Sequence, residues 1–163
     1  MLRPSGFMQN FLSPHPLGER IRRDGEIFTV AGDGRLGWID VRDIAAAAGA
    51  LLTDLDAVPG NQRDYLLTGP HALSHREAAA IITAGTGRPV RVVQASADQQ
   101  AADRRAAGIP AGFAAILANA DASVRAGRED ELSTAVLDLT GRPPRTFTQF
   151  VQEHAARWAA PAA

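Results

Sequence analysis

Leu36-Gly37-Trp38-Ile39-Asp40-Val41-Arg42-Asp43-Ile44-Ala45 holds a change of hydrophobic period. Residues 36–39 read as a short strand, and the Ala-rich run Val41–Thr53 reads as a helix presenting Ile44, Leu51 and Leu52. Asp40 can accept from the helix's free amides, and Asp43 sits in its favourably charged first turn. Strands alternating with helices along the chain point to an α/β or α+β class.

Upstream, residues 26–30 form a second candidate strand, and Gly32-Asp33-Gly34 a turn, so 26–39 reads as a hairpin. Phe7, Met8, Phe11 and Leu12 share one face of a short helix that Pro14 and Pro16 should end. Downstream, residues 54–64 contain Pro59-Gly60-Asn61 and read as a surface loop before the strand Tyr65-Leu66-Leu67-Thr68. Ser74-His75-Arg76-Glu77 has the S-x-x-E capping-box pattern, with Gly87 and Pro89 as the stop. A strand over 90–94 follows, then a polar helix opened by Ser96 and Gln99 and ending near Gly108. Pro110 suits a first helical position. Phe113, Ile116, Leu117, Ala120 and Val124 give the next helix an amphipathic face. Thr146 to Gln149 is another capping box, and Phe147, Phe150, Val151, His154 and Trp158 share the last helix's face.

Composition narrows the function classes. At 163 residues the chain has the size of one domain, and 45% apolar with 21% charged residues is a globular balance. The formal net charge is -1, Lys is absent, and Arg is scattered among Asp and Glu, so no nucleic-acid footprint exists. Without cysteine there is no disulfide framework, thiolate metal site or Cys nucleophile. No apolar run approaches the ~20 residues of a membrane span. The first dozen residues lack a signal-peptide pattern, and the expected setting is cytoplasmic.

Several motifs invite chemistry and have plainer readings. Gly32-Asp33-Gly34-Arg35-Leu36-Gly37 satisfies G-x-G-x-x-G, with Asp54 or Asp56 about 20 residues on. A dinucleotide site needs a helix opening at those glycines, whereas here a strand intervenes. His15, His71, His75 and His154 show no metal-ligand spacing, so no metal site is expected. No G-x-S-x-G elbow occurs, and Ser5, Ser74, Ser96 and Ser133 read as turn or cap residues. Asp40 and Asp43 suggest a catalytic carboxylate, but capping accounts for both.

Four stretches taken together resemble the NmrA-like, azoreductase-like branch of the atypical short-chain dehydrogenase/reductases. They are Leu2-Arg3-Pro4-Ser5-Gly6-Phe7-Met8-Gln9-Asn10, Gly37-Trp38-Ile39-Asp40-Val41-Arg42-Asp43-Ile44-Ala45, Tyr65-Leu66-Leu67-Thr68-Gly69-Pro70 and Thr140-Gly141-Arg142-Pro143-Pro144-Arg145-Thr146-Phe147. The resemblance implies an α/β fold: the distal part of an extended Rossmann fold with substrate-binding helices, lacking the amino-terminal dinucleotide-binding half. Residues 1–163 would then be a single, truncated, substrate-side domain. By the same resemblance Pro4, Phe7 and Met8 border NAD(P)H, and Phe7, Met8, Asn10 and Phe113 border the substrate. Phe7, Met8 and Phe11 also read as ordinary helix-turn core. The family's Tyr-x-x-x-Lys pair is absent, and catalytic residues stay unassigned. The implied activity is NAD(P)H-dependent reduction of a small acceptor, quinone or azo compound, with no cofactor held by this chain alone. The competing implication is a non-catalytic NAD(P)-sensing regulatory or protein-interaction module.

Overall fold

The computed structural model describes residues 1–53 and 64–159. The expected loop at 54–64, with Asp54 and Asp56, falls almost wholly outside them. Six strands are present among the described residues: β1 (Leu2–Pro4), β2 (Glu26–Thr29), β3 (Arg35–Leu36), β4 (Tyr65–Leu67), β5 (Leu73–Ser74) and β6 (Arg91–Gln94). Seven α-helices accompany them: α1 (Pro16–Asp24), α2 (Val41–Thr53), α3 (His75–Thr86), α4 (Ala97–Ala106), α5 (Ala111–Arg125), α6 (Ala135–Thr140) and α7 (Phe147–His154). Met8–Phe11 and Ala155–Trp158 are 3-10 turns.

The strands pair over long range. β1 runs parallel to β4 and β2 parallel to β6, while β3 is antiparallel to β5. The hairpin expected over 26–39 is therefore absent: β2 takes β6 as its partner and β3 takes β5. Parallel neighbours need a crossover, and helices supply it here. Of the 36–39 stretch only Leu36 is in a strand, β3, which begins at Arg35, and Ile39 instead bridges Phe7.

Two apolar clusters hold these pieces. Ile39, Ala47, Tyr65, Leu67 and Val136 form one, with α2 and α6 covering the β1–β4 pair. The larger joins Met8, Phe11, Ile21, Ile27, Trp38, Ile82, Phe150 and Trp158. Within it Phe11 meets Trp38 edge-on at 4.8 Å and Phe147 at 4.9 Å, an arrangement the ring quadrupoles favour. Trp158 donates its indole N–H to the Phe11 carbonyl at 2.7 Å, closing the carboxy-terminal segment onto the amino-terminal turn.

The caps form as the sequence implies. Glu77 N donates to Ser74 Oγ at 3.2 Å and Ser74 N to Glu77 Oε2 at 2.8 Å. Thr146 and Gln149 exchange the same two bonds, and so do Ser96 and Gln99. Ser74→Ala and Thr146→Ala should each cost about 1 kcal/mol, measured by urea unfolding; an unchanged midpoint would deny the cap its role.

Other expectations are corrected. Pro16 opens α1 instead of ending a helix, because a proline's missing N–H is harmless at the first position, and His15 Nδ1 accepts from Leu17 N at 3.2 Å as the cap. Pro110 is the cap of α5, one residue before the helix. The apolar face of α5 is largely unpacked: Val124 alone is buried, and Phe113 and Ile116 are exposed. Leu52, expected on the core face of α2, is 81% exposed. No helix among the described residues is long and apolar enough to cross a membrane.

Candidate functional site

Pro4 ends β1, and Ser5 N makes the last bond to β4 through Leu67 O at 3.0 Å. The chain then changes partner. Ile39 N donates to Gly6 O and Met8 N to Ile39 O, both at 2.9 Å, while Gly69 N donates to Gly37 O at 3.0 Å. Residues 5–8, 37–39 and 67–69 thus lie side by side beyond the carboxyl ends of β1 and β4. In open α/β sheets this is where ligands bind. Glycine permits the close approach: an added Cβ at Gly6 would stand 2.6 Å from the Trp38 ring, and one at Gly69 only 2.0 Å from Trp38 O.

The 7–10 turn divides its residues between core and surface. Met8 is 1% exposed and belongs to the larger cluster. Phe7 is 38% exposed, and Asn10 is half-buried with its backbone N–H donating to Phe7 O at 3.1 Å. Phe7 and Asn10, and not Met8, therefore offer surface. Pro4 lines a depression of about 290 Å³ with Arg3, Ser5, Leu66, Arg128, Glu129 and Glu131. Phe7, Met8, Asn10 and Phe113 line neither it nor a second one of about 280 Å³ beside Arg142 and Arg145. Phe113, 54% exposed, lies on α5, a helix that packs on α4 and β3.

Two acids read as caps do more than cap. Asp40 is wholly buried; its Oδ1 accepts from Arg42 N at 2.9 Å, as a cap should, and also from Gln9 Nε2 at 3.1 Å. Burial works against its charge, but the Arg42 guanidinium, the Arg42 amide and Gln9 hold its carboxyl below the ordinary carboxylate value. Asp43 accepts from Arg145 N at 2.7 Å and pairs with the Arg145 guanidinium, tying α2 to the segment before α7. Neither partner is visible in local spacing, because 31 and 102 residues separate the pairs. Gln9 was the residue sequence reasoning passed over, although it stands inside the Phe7-Met8-Gln9-Asn10 stretch.

The residues present do not fit a dinucleotide's pyrophosphate at the G-x-G-x-x-G stretch. Its turn leads into β3 rather than a helix, and an added Cβ at Gly34 would lie 2.1 Å from Val124 O, so that backbone already faces protein. The starts of α1, α3, α4 and α7 are each closed by a side chain of the chain itself. Among the described residues no cluster of three His, Cys, Asp or Glu could hold a metal.

No family model matches the chain. It is 42% identical over 159 residues to the uncharacterized oxidoreductase YesF of Bacillus subtilis, covering 97% of this chain and 54% of that protein. It is 39% identical over 164 residues to the NAD(P)H azoreductase of Xenophilus azovorans, covering 98% and 54%. Among solved structures, a nucleoside-diphosphate-sugar epimerase from Staphylococcus aureus superposes with a TM-score of 0.77 at 26% identity, over 93% of this chain and 50% of that one. The NADPH-dependent quinone oxidoreductase of Escherichia coli, solved with NADPH, gives 0.71 at 26% identity over 93% and 51%. The chain spans about half the length of the curated relatives it matches. With its α/β architecture, the chain is similar along nearly its whole length to the carboxy-terminal half of the NmrA-like, azoreductase-like NAD(P)H oxidoreductases.

Proposed function

We propose that this chain, acting as one domain, supplies the acceptor side of an NAD(P)H-dependent oxidoreductase whose acceptor is a small electron-poor molecule of the quinone or azo type. The observation that carries the reading is the 4–10 segment. It leaves the carboxyl end of a parallel strand pair with an exposed aromatic face at Phe7 and an amide at Asn10, on a backbone pinned by Ile39. A flat ring needs an apolar wall and one polar group to orient it. In this reading Pro4 and Phe7 border the nicotinamide, Phe7 and Asn10 border the acceptor, and Met8 backs the wall from the core. Phe113 serves only where α5 comes over the acceptor. The nicotinamide, when bound, supplies the hydride; the protein orients the partners and excludes water. The relatives named as azoreductase and quinone oxidoreductase support the acceptor class.

The test joins the chain to the amino-terminal half of the Xenophilus azovorans azoreductase and measures quinone reduction. Phe7→Ala and Asn10→Ala should each lower kcat/KM about tenfold, or about 1.4 kcal/mol, with thermal unfolding little changed. Unchanged turnover in both variants of a folded, NADPH-binding fusion would return these residues to packing alone.

A further inference from the structure

We infer that Gln9 and the buried Asp40 are positioning residues for the acceptor wall, forming a side-chain clamp that fixes the 7–10 turn against the start of α2. The inference rests on the reading of that turn as the acceptor wall.

The geometry is a relay across three elements. Gln9 commits both ends of its amide: Nε2 donates to Asp40 Oδ1 at 3.1 Å, and Oε1 accepts from Val41 N at 3.1 Å. An amide held at both ends loses its freedom to flip and fixes the side chain that carries it. Gln9 lies between Met8, anchored in the core, and Asn10, so fixing Gln9 fixes the direction in which Phe7 and Asn10 face. The turn is then held from two sides, by the backbone ladder to Ile39 and by this side chain.

Asp40 is in turn made rigid. Its Oδ2 accepts from Arg42 Nη2 at 2.6 Å, and the same nitrogen donates to Glu153 Oε2 on α7, also at 2.6 Å. Arg42 Nε adds a bond to Asp40 Oδ1 at 3.0 Å. A fork of this kind fixes direction as well as distance. A cap alone explains only the Arg42 amide bond. The Gln9 and Glu153 contacts reach 31 and 111 residues away and connect the wall to α7. Burial of the Asp40 carboxylate makes the bonds it accepts from Gln9 and Arg42 costly to lose, because water cannot replace them, whereas the Arg42–Glu153 pair lies at the exposed outer end.

The experiment is amide hydrogen exchange by NMR on the 163-residue chain and its Gln9→Leu variant, with urea unfolding in parallel. Expected is at least tenfold faster exchange at Met8 and Asn10, with Ile82 and the β2–β6 amides unchanged. Glu153→Gln, a milder change at the outer end, should accelerate the same two amides by a few-fold. Unchanged exchange at Met8 and Asn10, or one common acceleration at every protected amide, overturns the clamp and leaves the acceptor reading untouched. In the azoreductase fusion, Gln9→Leu should raise the KM for the quinone several-fold and leave that for NADPH alone. Faster exchange with quinone KM and kcat intact would overturn the positioning role and contradict the reading of the turn as acceptor wall.

Discussion

Replacing Gly69 by Ala is expected to destabilise the chain by about 3 kcal/mol or more, lowering the unfolding midpoint by roughly 6–12 °C. The added Cβ would stand 2.0 Å from Trp38 O, and Met8 Cε lies 3.5 Å away on another side. A flexible side chain could swing aside, but a carbonyl in the Gly6–Ile39 and Gly37–Gly69 ladder cannot move without breaking those bonds. The contrast is Gly49, inside α2, where nothing lies within 4 Å of the added atom. Gly49→Ala should stabilise by roughly 0.5–1 kcal/mol, since Ala loses less backbone freedom in a helix. Calorimetry of the two variants checks both signs. Equal, small effects would mean that the strands beyond β1 and β4 are not packed this closely.

His75 should make stability fall as the solution is acidified. Its ring is largely buried, 5.4 Å from the Trp38 ring, with Nδ1 at 3.3 Å from Thr29 Oγ1. Burial lowers its pKa to about 4 from an ordinary 6.5. The folded chain therefore refuses a proton that the unfolded chain accepts. Stability from this group is complete above about pH 6.5, declines as pH falls to about 4, and loses nothing further below that. The span corresponds to about 3 kcal/mol. Urea unfolding between pH 7 and 4 should show this slope, and His75→Gln should flatten it by that amount. Acidic groups contribute to both curves, so the difference between variants isolates the ring. Parallel curves would deny the ring its burial penalty.

What was legible in the sequence is local. The span of α2 and the three capping boxes of α3, α4 and α7 follow from short-range chemistry, and all appear with the expected residues. Helix α1 was missed because His15 is not among the usual cap residues and Pro16 reads equally as a breaker. Helix α6 was missed because it is six residues long and Thr134 makes no side-chain cap bond. The 26–39 hairpin failed for a different reason: strand pairing is decided by partners some 65 residues on, which no local turn signal reports. At the candidate site the same boundary holds. The resemblance pointed to the turn at Phe7 and Asn10, but burial of Met8 and the bonding of Gln9 to Asp40 depend on packing between distant segments. The α5 stripe of Phe113 and Ile116 shows the reverse case, a helical period that the structure leaves facing outward.

In the proposed acceptor-side role the residues of this chain border the reacting rings and do not by themselves hold a dinucleotide's pyrophosphate. Calorimetric titration of the 163-residue chain with NADPH decides between this role and a complete dinucleotide site. The expected result is binding no tighter than about 10 µM, equivalent to about 7 kcal/mol, because its G-x-G-x-x-G turn opens no helix toward a phosphate. A dissociation constant in the nanomolar to low micromolar range would contradict the account, since it would place a complete dinucleotide site within this chain.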